Sequence, residues 1–266
     1  MKNIEGYRRI DVADGDLWVA EGFERNAEQL RLTDQARWEA MIDAGSPAGR
    51  GRIAHIEDAG RHVTLKQLRR GGLAARLWRD RFAVRERLLQ NLSLPRLARQ
   101  RGVATPAALA LLVVGGPPGL WRGWLALETV AGGRDLGRLF LADGIRDEEW
   151  RVALATVRGL HDAGFEHPDL NLGNLLLDEA GRAWILDLDR CTAHDGAIDV
   201  DRRIDALRRI ERSYLKIGYV NDRHVDTEPD WPKLYAPGDV GLARRWELRE
   251  HRDLAKLERH RRGWRR

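Results

Sequence analysis

Short apolar runs separated by glycine-rich breaks dominate the first half of the chain and predict strands. Leu17-Trp18-Val19-Ala20 is the first. A helix is expected from Thr33-Asp34 onward, with Ala36, Trp38, Ala40, Met41 and Ile42 as its apolar positions. Arg52-Ile53-Ala54-His55-Ile56 and His62-Val63-Thr64-Leu65-Lys66 flank Asp58-Ala59-Gly60 as a hairpin. A helical region over Trp78 to Leu92 follows, and Ser93-Leu94-Pro95 reads as the start of another helix, with Ser as cap and Pro in the first turn. Ala108 to Val114 and Trp124 to Val130 are two further strands joined by the Gly115-Gly116-Pro117-Pro118 breaker. Together these make a small, mainly antiparallel sheet with one main helix. Ala131-Gly132-Gly133-Arg134 is a hinge candidate.

Beyond the hinge the period lengthens to that of helices. Asp147 is the expected cap of a helix that carries Trp150, Ala153, Leu154, Val157 and Leu160 on one face and ends at Gly164. His161 shares that face and is expected to be a core histidine. Ile204, Leu207, Ile210, Tyr214 and Leu215 repeat at helical spacing; Asn221 to Gly238 reads as an ordered loop or short helix. From Leu242 to Trp264 the chain is Arg-rich with a thin apolar stripe, which suits either a solvated helix or one lying on anionic lipid.

Between the two helical stretches lies the chemistry. His167-Pro168-Asp169-Leu170-Asn171-Leu172-Gly173-Asn174 precedes Leu175-Leu176-Leu177, a turn at Asp178 to Arg182, Trp184-Ile185-Leu186, and then Asp187-Leu188-Asp189. If the two apolar runs pair as a hairpin, Asn174 and Asp187 fall side by side at one end. An Asp, an Asn five positions later and a second Asp after a hairpin is the spacing of a phosphotransfer site. Asp169 would take the proton of an acceptor hydroxyl. Asn174 and Asp187 would hold Mg²⁺ against nucleotide phosphates, with Asp189 assisting. Polar residues that merely cap turns and strand ends are the bland alternative; it does not require the hairpin and the second carboxylate together. His167 is expected to brace the loop through a hydrogen bond.

Upstream, Gly45-Ser46-Pro47-Ala48-Gly49-Arg50-Gly51-Arg52 is the candidate phosphate-covering turn, with Gly49 and Gly51 letting backbone amides approach phosphate oxygens. Lys66, on the strand after it, is the candidate for the α/β-phosphates of ATP. A helical carboxylate normally positions such a lysine. Glu86 is the acid available in the following helical region, while the family pattern counted back from Gly102 lands nearer Asn91.

The His-x-Asp-x-Asn-x-x-Asn loop, the Asp-x-Asp triplet and the run Leu65-Lys66-Gln67-Leu68-Arg69-Arg70-Gly71-Gly72 resemble the lipopolysaccharide core-sugar kinases of the protein-kinase-like superfamily, over about Gly49 to Arg190. The resemblance implies a bilobal α+β fold: a nucleotide-binding N-lobe over 1–131, a mainly helical C-lobe over 132–240 with the catalytic loop and acceptor site, and a basic helical tail over 241–266. It implies ATP as donor, adenine against the backbone of Glu128 to Val130, and a Kdo or heptose hydroxyl as acceptor. Pro168 stands where protein kinases often carry an Arg that reads a phosphorylated activation segment, so that mode of regulation is not expected.

Charge and composition narrow the alternatives. The 266 residues carry a net charge of +5, and Arg61 to Arg101 holds twelve Lys or Arg against Asp80 and Glu86. Such a block suits an anionic glycolipid or core oligosaccharide acceptor and an anionic membrane surface, and argues against a cationic acceptor. Nucleic acid is not expected as a partner. No apolar run reaches the roughly 18–20 residues of a membrane span, and Met1 to Gly6 is not followed by the apolar core of a secretory signal. Cys191 is the sole cysteine, so no intrachain disulfide can form; a cytoplasmic enzyme, peripheral on the inner membrane, is the expectation. A phosphotransferase on another small molecule or on protein, and a non-catalytic nucleotide- or glycolipid-binding pseudokinase, are the competing readings.

Overall fold

The computed structural model describes residues 3–48, 51–69, 80–116, 119–223 and 228–249. Gly49 and the Arg70-Gly71-Gly72 turn lie outside them. The chain divides into two compact units, residues 1–97 with 106–130, and residues 98–105 with 131–266.

The first unit is built on a seven-stranded antiparallel sheet in the order β1-β2-β6-β7-β5-β4-β3. Its strands are β1 (Tyr7–Val12), β2 (Gly15–Ala20), β3 (Ser46–Ala48), β4 (Gly51–Asp58), β5 (Arg61–Gln67), β6 (Ala108–Gly116) and β7 (Leu120–Glu128). The two-residue period decides what each face buries. Leu17, Val19, Ala110, Leu112, Trp124 and Ala126 face one way and pack with Phe23, Trp38 and Ile42 from helices α1 (Glu24–Gln29) and α2 (Gln35–Ala44) and their approach. Trp18, Leu111, Val113 and Leu125 face the other way and pack with Leu88, Leu89 and Leu92 of α3 (Glu86–Gln100). The sheet therefore carries helices on both faces, where the sequence suggested one main helix.

Local chemistry accounts for the ends. Asp34 caps α2 by accepting from Ala36 N at 2.9 Å, and Trp38 Nε1 donates to Leu32 O at 2.8 Å, satisfying a fully buried indole. The β4–β5 turn places both Ala59 (φ 47°) and Gly60 (φ 75°) in the left-handed region, as a two-residue hairpin demands. Pro95 lies inside α3 and does not start a new helix. One continuous apolar face, Leu88, Leu89, Leu92 and Ala98, stays buried through it. That burial outweighs the missing N–H of Pro95, a case of tertiary packing overriding a local breaker.

The second unit holds α4 (Leu136–Ala142), α5 (Asp147–Asp162), α6 (Val200–Val220) and α7 (Trp231–Tyr235), a sheet of β8 (Arg134–Asp135), β10 (Leu175–Leu177) and β11 (Ala183–Ile185), and a two-stranded ladder of β9 (Phe165–Glu166) and β12 (Thr192–Ala193). Its core includes a ring cluster in which Tyr214 lies 4.5 Å from Phe140 and 5.6 Å from Trp150, and Trp150 lies 5.0 Å from Trp231, centroid to centroid. The cap of α5 is Arg146 and not Asp147: Glu149 accepts from the Arg146 backbone N–H at 2.8 Å and from its guanidinium at 2.7 Å. Residues 98–105 join this unit through Ile185 N to Ala104 O (2.9 Å) and Arg101 Nη1 to Ala163 O and His194 O.

Residues 240–249 are helical and packed, with Leu242 and Trp246 buried. Arg208 of α6 explains the packing: its guanidinium lies 3.9 Å from the Trp246 ring centre and forms a buried ion pair with Glu211 at 2.8 Å. The described part of the basic tail is thus fastened to α6 through Leu242 and Trp246, while Arg244, Arg245, Glu247 and Leu248 stay exposed. Residues 250–266 lie outside the described structure. No helix among the described residues is long and apolar enough to cross a membrane.

Candidate active site

The loop from His167 to Asn174 is held by its own polar side chains. Asn171 accepts from Gly173 N at 2.9 Å and donates to Asp169 O at 2.8 Å; Asn174 Nδ2 also donates to Asp169 O at 2.8 Å. These bonds bend the chain around the Asp169 carbonyl and leave its carboxylate exposed. With its Nδ2 committed, Asn174 keeps Oδ1 for another partner, and among the described residues no hydrogen bond reaches it.

His167 supports the loop from below, as expected from the sequence. A carbonyl can only accept, so the 3.1 Å contact from Nε2 to Leu186 O puts the proton on Nε2, and Nδ1 then accepts from Asp169 N at 3.2 Å. The bond accepted at Nδ1 requires the neutral ring. Burial holds the His167 pKa below its ordinary value, against the opposing pull of the Leu186 carbonyl and the carboxylates of Asp187 and Asp169.

The hairpin sets Asn174 opposite Leu186, the residue before Asp187. β10 pairs with β11 in the register Leu175↔Ile185, and the ladder continues with Leu186 N to Asn174 O at 2.9 Å. The next residue, Asp187, has φ 57° and ψ 51°. An L-residue in that left-handed region is strained by about 1–2 kcal/mol. The conformation turns the chain out of the strand into the short 3-10 turn Leu188–Arg190, and strain of this kind concentrates at working sites.

The hairpin's far end is independently fixed. Asp178 accepts from Ala180 N, Arg182 N and Arg182 Nε at 2.9 Å each and from Trp184 Nε1 at 3.0 Å. Burial favours the neutral acid, yet these donors together hold the Asp178 pKa below the usual carboxylate value.

On the other side of the loop, β9 and β12 clamp its two ends through Thr192↔Glu166 and Ala193↔Phe165. Gly164 (φ 84°) admits this approach: a Cβ there would lie 2.6 Å from both Gly196 O and His194 O. Arg202 of α6 bonds Glu166 at 2.7 Å, and Leu172 N donates to Ser213 Oγ of α6 at 3.3 Å.

In the first unit, Lys66 lies on β5 opposite Ile53 and Leu125, and Gly51 opens β4, paired with Ala48. The described parts of the Gly-rich stretch, Ser46 to Ala48 and Gly51 to Arg52, are thus paired strand residues of β3 and β4. Glu86 is the exposed first residue of α3 and forms no ion pair among the described residues, so the structure does not supply it as the carboxylate that positions Lys66. Asn91 is buried, and its Nδ2 donates to Leu88 O at 3.1 Å, within its own helix. His161, as expected, is a core residue: its Nδ1 lies 2.8 Å from Tyr235 Oη, and burial lowers its pKa to about 3.

Among the described residues no three His, Cys, Asp or Glu cluster to hold a metal ion. Asn174 and Asp187 offer two oxygen ligands, a set that suits Mg²⁺ shared with nucleotide phosphates better than a caged metal.

Residues 34–236 match the model of the lipopolysaccharide kinase (Kdo/WaaP) family. The chain belongs to this family. It is 31% identical over 215 residues to a 3-deoxy-D-manno-octulosonic acid kinase of Xanthomonas axonopodis pv. citri (strain 306), covering 79% of this chain and 82% of the relative. The kinase of the same description from Xylella fastidiosa (strain 9a5c) is 32% identical over 218 residues, covering 79% and 84%. One from Actinobacillus succinogenes is 31% identical over 222 residues, covering 79% and 91%. Among solved structures, WaaP in complex with acyl carrier protein is similar with a TM-score of 0.54 and 22% identity, covering 93% of this chain and 98% of that one. That likeness confirms the protein-kinase-like α+β fold. As a lipopolysaccharide kinase the protein is an ATP-dependent phosphotransferase acting on a sugar hydroxyl of the lipopolysaccharide core.

Proposed function

We propose that this kinase phosphorylates a hydroxyl of 3-deoxy-D-manno-octulosonic acid (Kdo) in the inner core, with Asp169 as its base and Asn174 and Asp187 as its metal ligands. The observation that carries the reading is the hairpin register, in which Asn174 O is bonded to Leu186 N and Asp187 follows at once in a left-handed turn. The relatives named above are octulosonic acid kinases, which supports the choice of acceptor.

Asp169 orients the acceptor hydroxyl and takes its proton as that oxygen bonds the γ-phosphorus and the bond from this phosphorus to the β,γ-bridging oxygen breaks, releasing ADP. Asn174 Oδ1 and the Asp187 carboxylate would hold Mg²⁺, which would supply positive charge to offset that of the nucleotide phosphates. Lys66 is the cation for the α/β-phosphates, and Gly51 belongs to the turn that covers them. Asp189 acts through the turn that follows Asp187. The first unit is the nucleotide-binding lobe and the second the acceptor lobe. Because the acceptor sugar is carried on a lipid, we place the enzyme at the cytoplasmic face of the inner membrane, with the basic segment Arg61 to Arg101 as the anionic-surface contact.

The test is transfer of ³²P from ATP to a panel of core oligosaccharides with mass-spectrometric mapping of the product. Asp169→Asn is expected to lower kcat by about 10²–10⁴-fold while leaving circular dichroism and ATP binding unchanged. Near-wild-type turnover in that variant would remove Asp169 from the mechanism.

A further inference from the structure

Asp34, Asp178 and Asn171 close the same kind of short turn, in which a side-chain oxygen accepts from the backbone N–H two residues on. Asp34 accepts from Ala36 N, Asp178 from Ala180 N and Asn171 from Gly173 N, each at 2.9 Å. Such a turn needs only an oxygen, and an Asp, Asn or Ser supplies it. Asn171 also precedes the 3-10 turn Leu172–Asn174, a capping position where a carboxylate serves equally well. The amide at 171 therefore brings something that the turn does not use, its Nδ2 and the two hydrogens on it.

That nitrogen is turned to Asp169. Gly173 N can only donate and Asp169 O can only accept, so Oδ1 of the amide faces the glycine and Nδ2 faces the aspartate. Nδ2 lies 2.8 Å from Asp169 O and 3.5 Å from Asp169 Oδ1. Asn174 Nδ2 donates to the same backbone carbonyl at 2.8 Å, so two donors already fill its two lone pairs. The second hydrogen of Asn171 is left for the carboxylate. At 3.5 Å the contact is long, but hydrogen bonds of catalytic groups are often long at rest and tighten once reactants are bound. Among the described residues no other hydrogen bond reaches the Asp169 carboxylate.

We propose that Asn171 is a positioning residue for the transfer: its amide holds Oδ1 of Asp169, so that Oδ2 is the oxygen turned to the acceptor hydroxyl. This assignment rests on Asp169 as the base, proposed above. The hydroxyl proton passes to Oδ2 while its oxygen bonds the γ-phosphorus and ADP leaves; Asn171 itself gives up no atom. An exposed carboxylate otherwise turns freely about its side-chain torsions, and a charge-assisted donor on one oxygen fixes where the other points. The residue choice follows. An Asp at 171 would keep the turn but set a second carboxylate beside the first, where like charges repel.

The test is a double-mutant cycle on the full-length protein, with wild type, Asn171→Ser, Asp169→Asn and Asp169→Asn/Asn171→Ser compared in phosphate transfer from ATP to a core oligosaccharide. Serine keeps an oxygen for Gly173 N and removes the amide. Asn171→Ser is expected to lower kcat by about 10–100-fold, with the KM for ATP and the Tm close to wild type; Asn171→Asp should lose at least as much. Once Asp169 is replaced, the same Asn171→Ser change should cost little more, because the group it positions is gone. Equal losses in both backgrounds overturn the proposal. So do an unchanged kcat in Asn171→Ser and a loss that comes with a raised KM for ATP or a marked fall in Tm.

The contact is also read without turnover, which separates it from the choice of acceptor. In ¹H–¹⁵N spectra the side-chain amide of Asn171 is identified by its loss in Asn171→Ser. In Asp169→Asn the proton that faces the carboxylate should move upfield, while its partner on the backbone carbonyl stays. If neither proton moves, the proposal is overturned whatever the acceptor. If no core sugar is phosphorylated, the proposed acceptor reaction fails and the spectrum alone decides the contact. Near-wild-type turnover of Asp169→Asn removes the base, and the positioning role with it.

Discussion

The side chain of Asn174 reaches back five residues to donate to the backbone carbonyl of Asp169 at 2.8 Å. One amide thereby ties the residue proposed as base to the residue proposed as metal ligand, so the two cannot drift apart without breaking a hydrogen bond. Replacing it separates two effects. Asn174→Asp keeps an oxygen ligand but loses the donor; Mg²⁺ dependence should stay near wild type while kcat falls. Asn174→Ala loses both, and the Mg²⁺ concentration for half-maximal rate should rise by about 10–100-fold or more. A Mg²⁺ titration of transfer rate in the two variants is the check.

The left-handed backbone of Asp187 (φ 57°) predicts an unusual ranking of variants. Asp187→Gly and Asp187→Ala both lose the carboxylate and should both be inactive. Glycine accepts the conformation and alanine does not, so the glycine variant should be more stable by about 1–2 kcal/mol in urea unfolding. Equal stabilities would mean that the turn relaxes when the carboxylate is lost.

Stability should fall in mild acid. Burial lowers the pKa of His161 to about 3, with smaller contributions from Arg203, His167 and Arg209, and lowers that of His167 below its ordinary value. The folded state thus holds both rings neutral where the unfolded chain binds protons, below a pKa near 6.5. The stabilisation is full above pH 6.5 and is lost as the pH drops toward the folded values, with a slope of up to about 1.4 kcal/mol per pH unit for each ring. Urea titrations at pH 7, 6 and 5 should show the decline, and His161→Gln should halve it. A flat profile in wild type would exclude neutral buried histidines.

Arg208 and Glu211 form the buried pair that carries Trp246, with side chains 8% and 6% exposed. Glu211→Gln leaves a buried cation unneutralised and should destabilise by about 3–5 kcal/mol. The double variant Arg208→Met/Glu211→Leu should recover most of that loss, because the desolvation cost of both charges disappears together. Chemical denaturation of the three proteins tests the difference.

The sequence is most readable where chemistry and spacing coincide. The order and spacing of residues are enough to align the loop from His167 to Asn174, the hairpin and Asp187, because a local turn-and-strand pattern encodes their register. Strands β2 and β4 to β7 and the buried faces of α5 and α6 are legible from periodicity. Pro95 misleads because a local breaker yields to an apolar face that continues on both sides of it. Glu86 misleads because the positions of acids along a helix do not tell which faces inward. Arg208 gives no signal at all: in the run Arg208-Arg209 only the fold tells which guanidinium is neutralised by a residue three positions on and stacked on an indole.

The hairpin that ends in Asp187 closes its far end through Asp178 and its near end through Asn174 and Leu186, using contacts no more than about a dozen residues apart in the chain. Short-range contacts of this kind form early and cheaply in folding. The spacing of Asn174 and Asp187, the two residues proposed as metal ligands, is therefore a property of one small segment, insulated from changes elsewhere. A fold built on it can vary the surfaces around this segment without altering the spacing of these two residues.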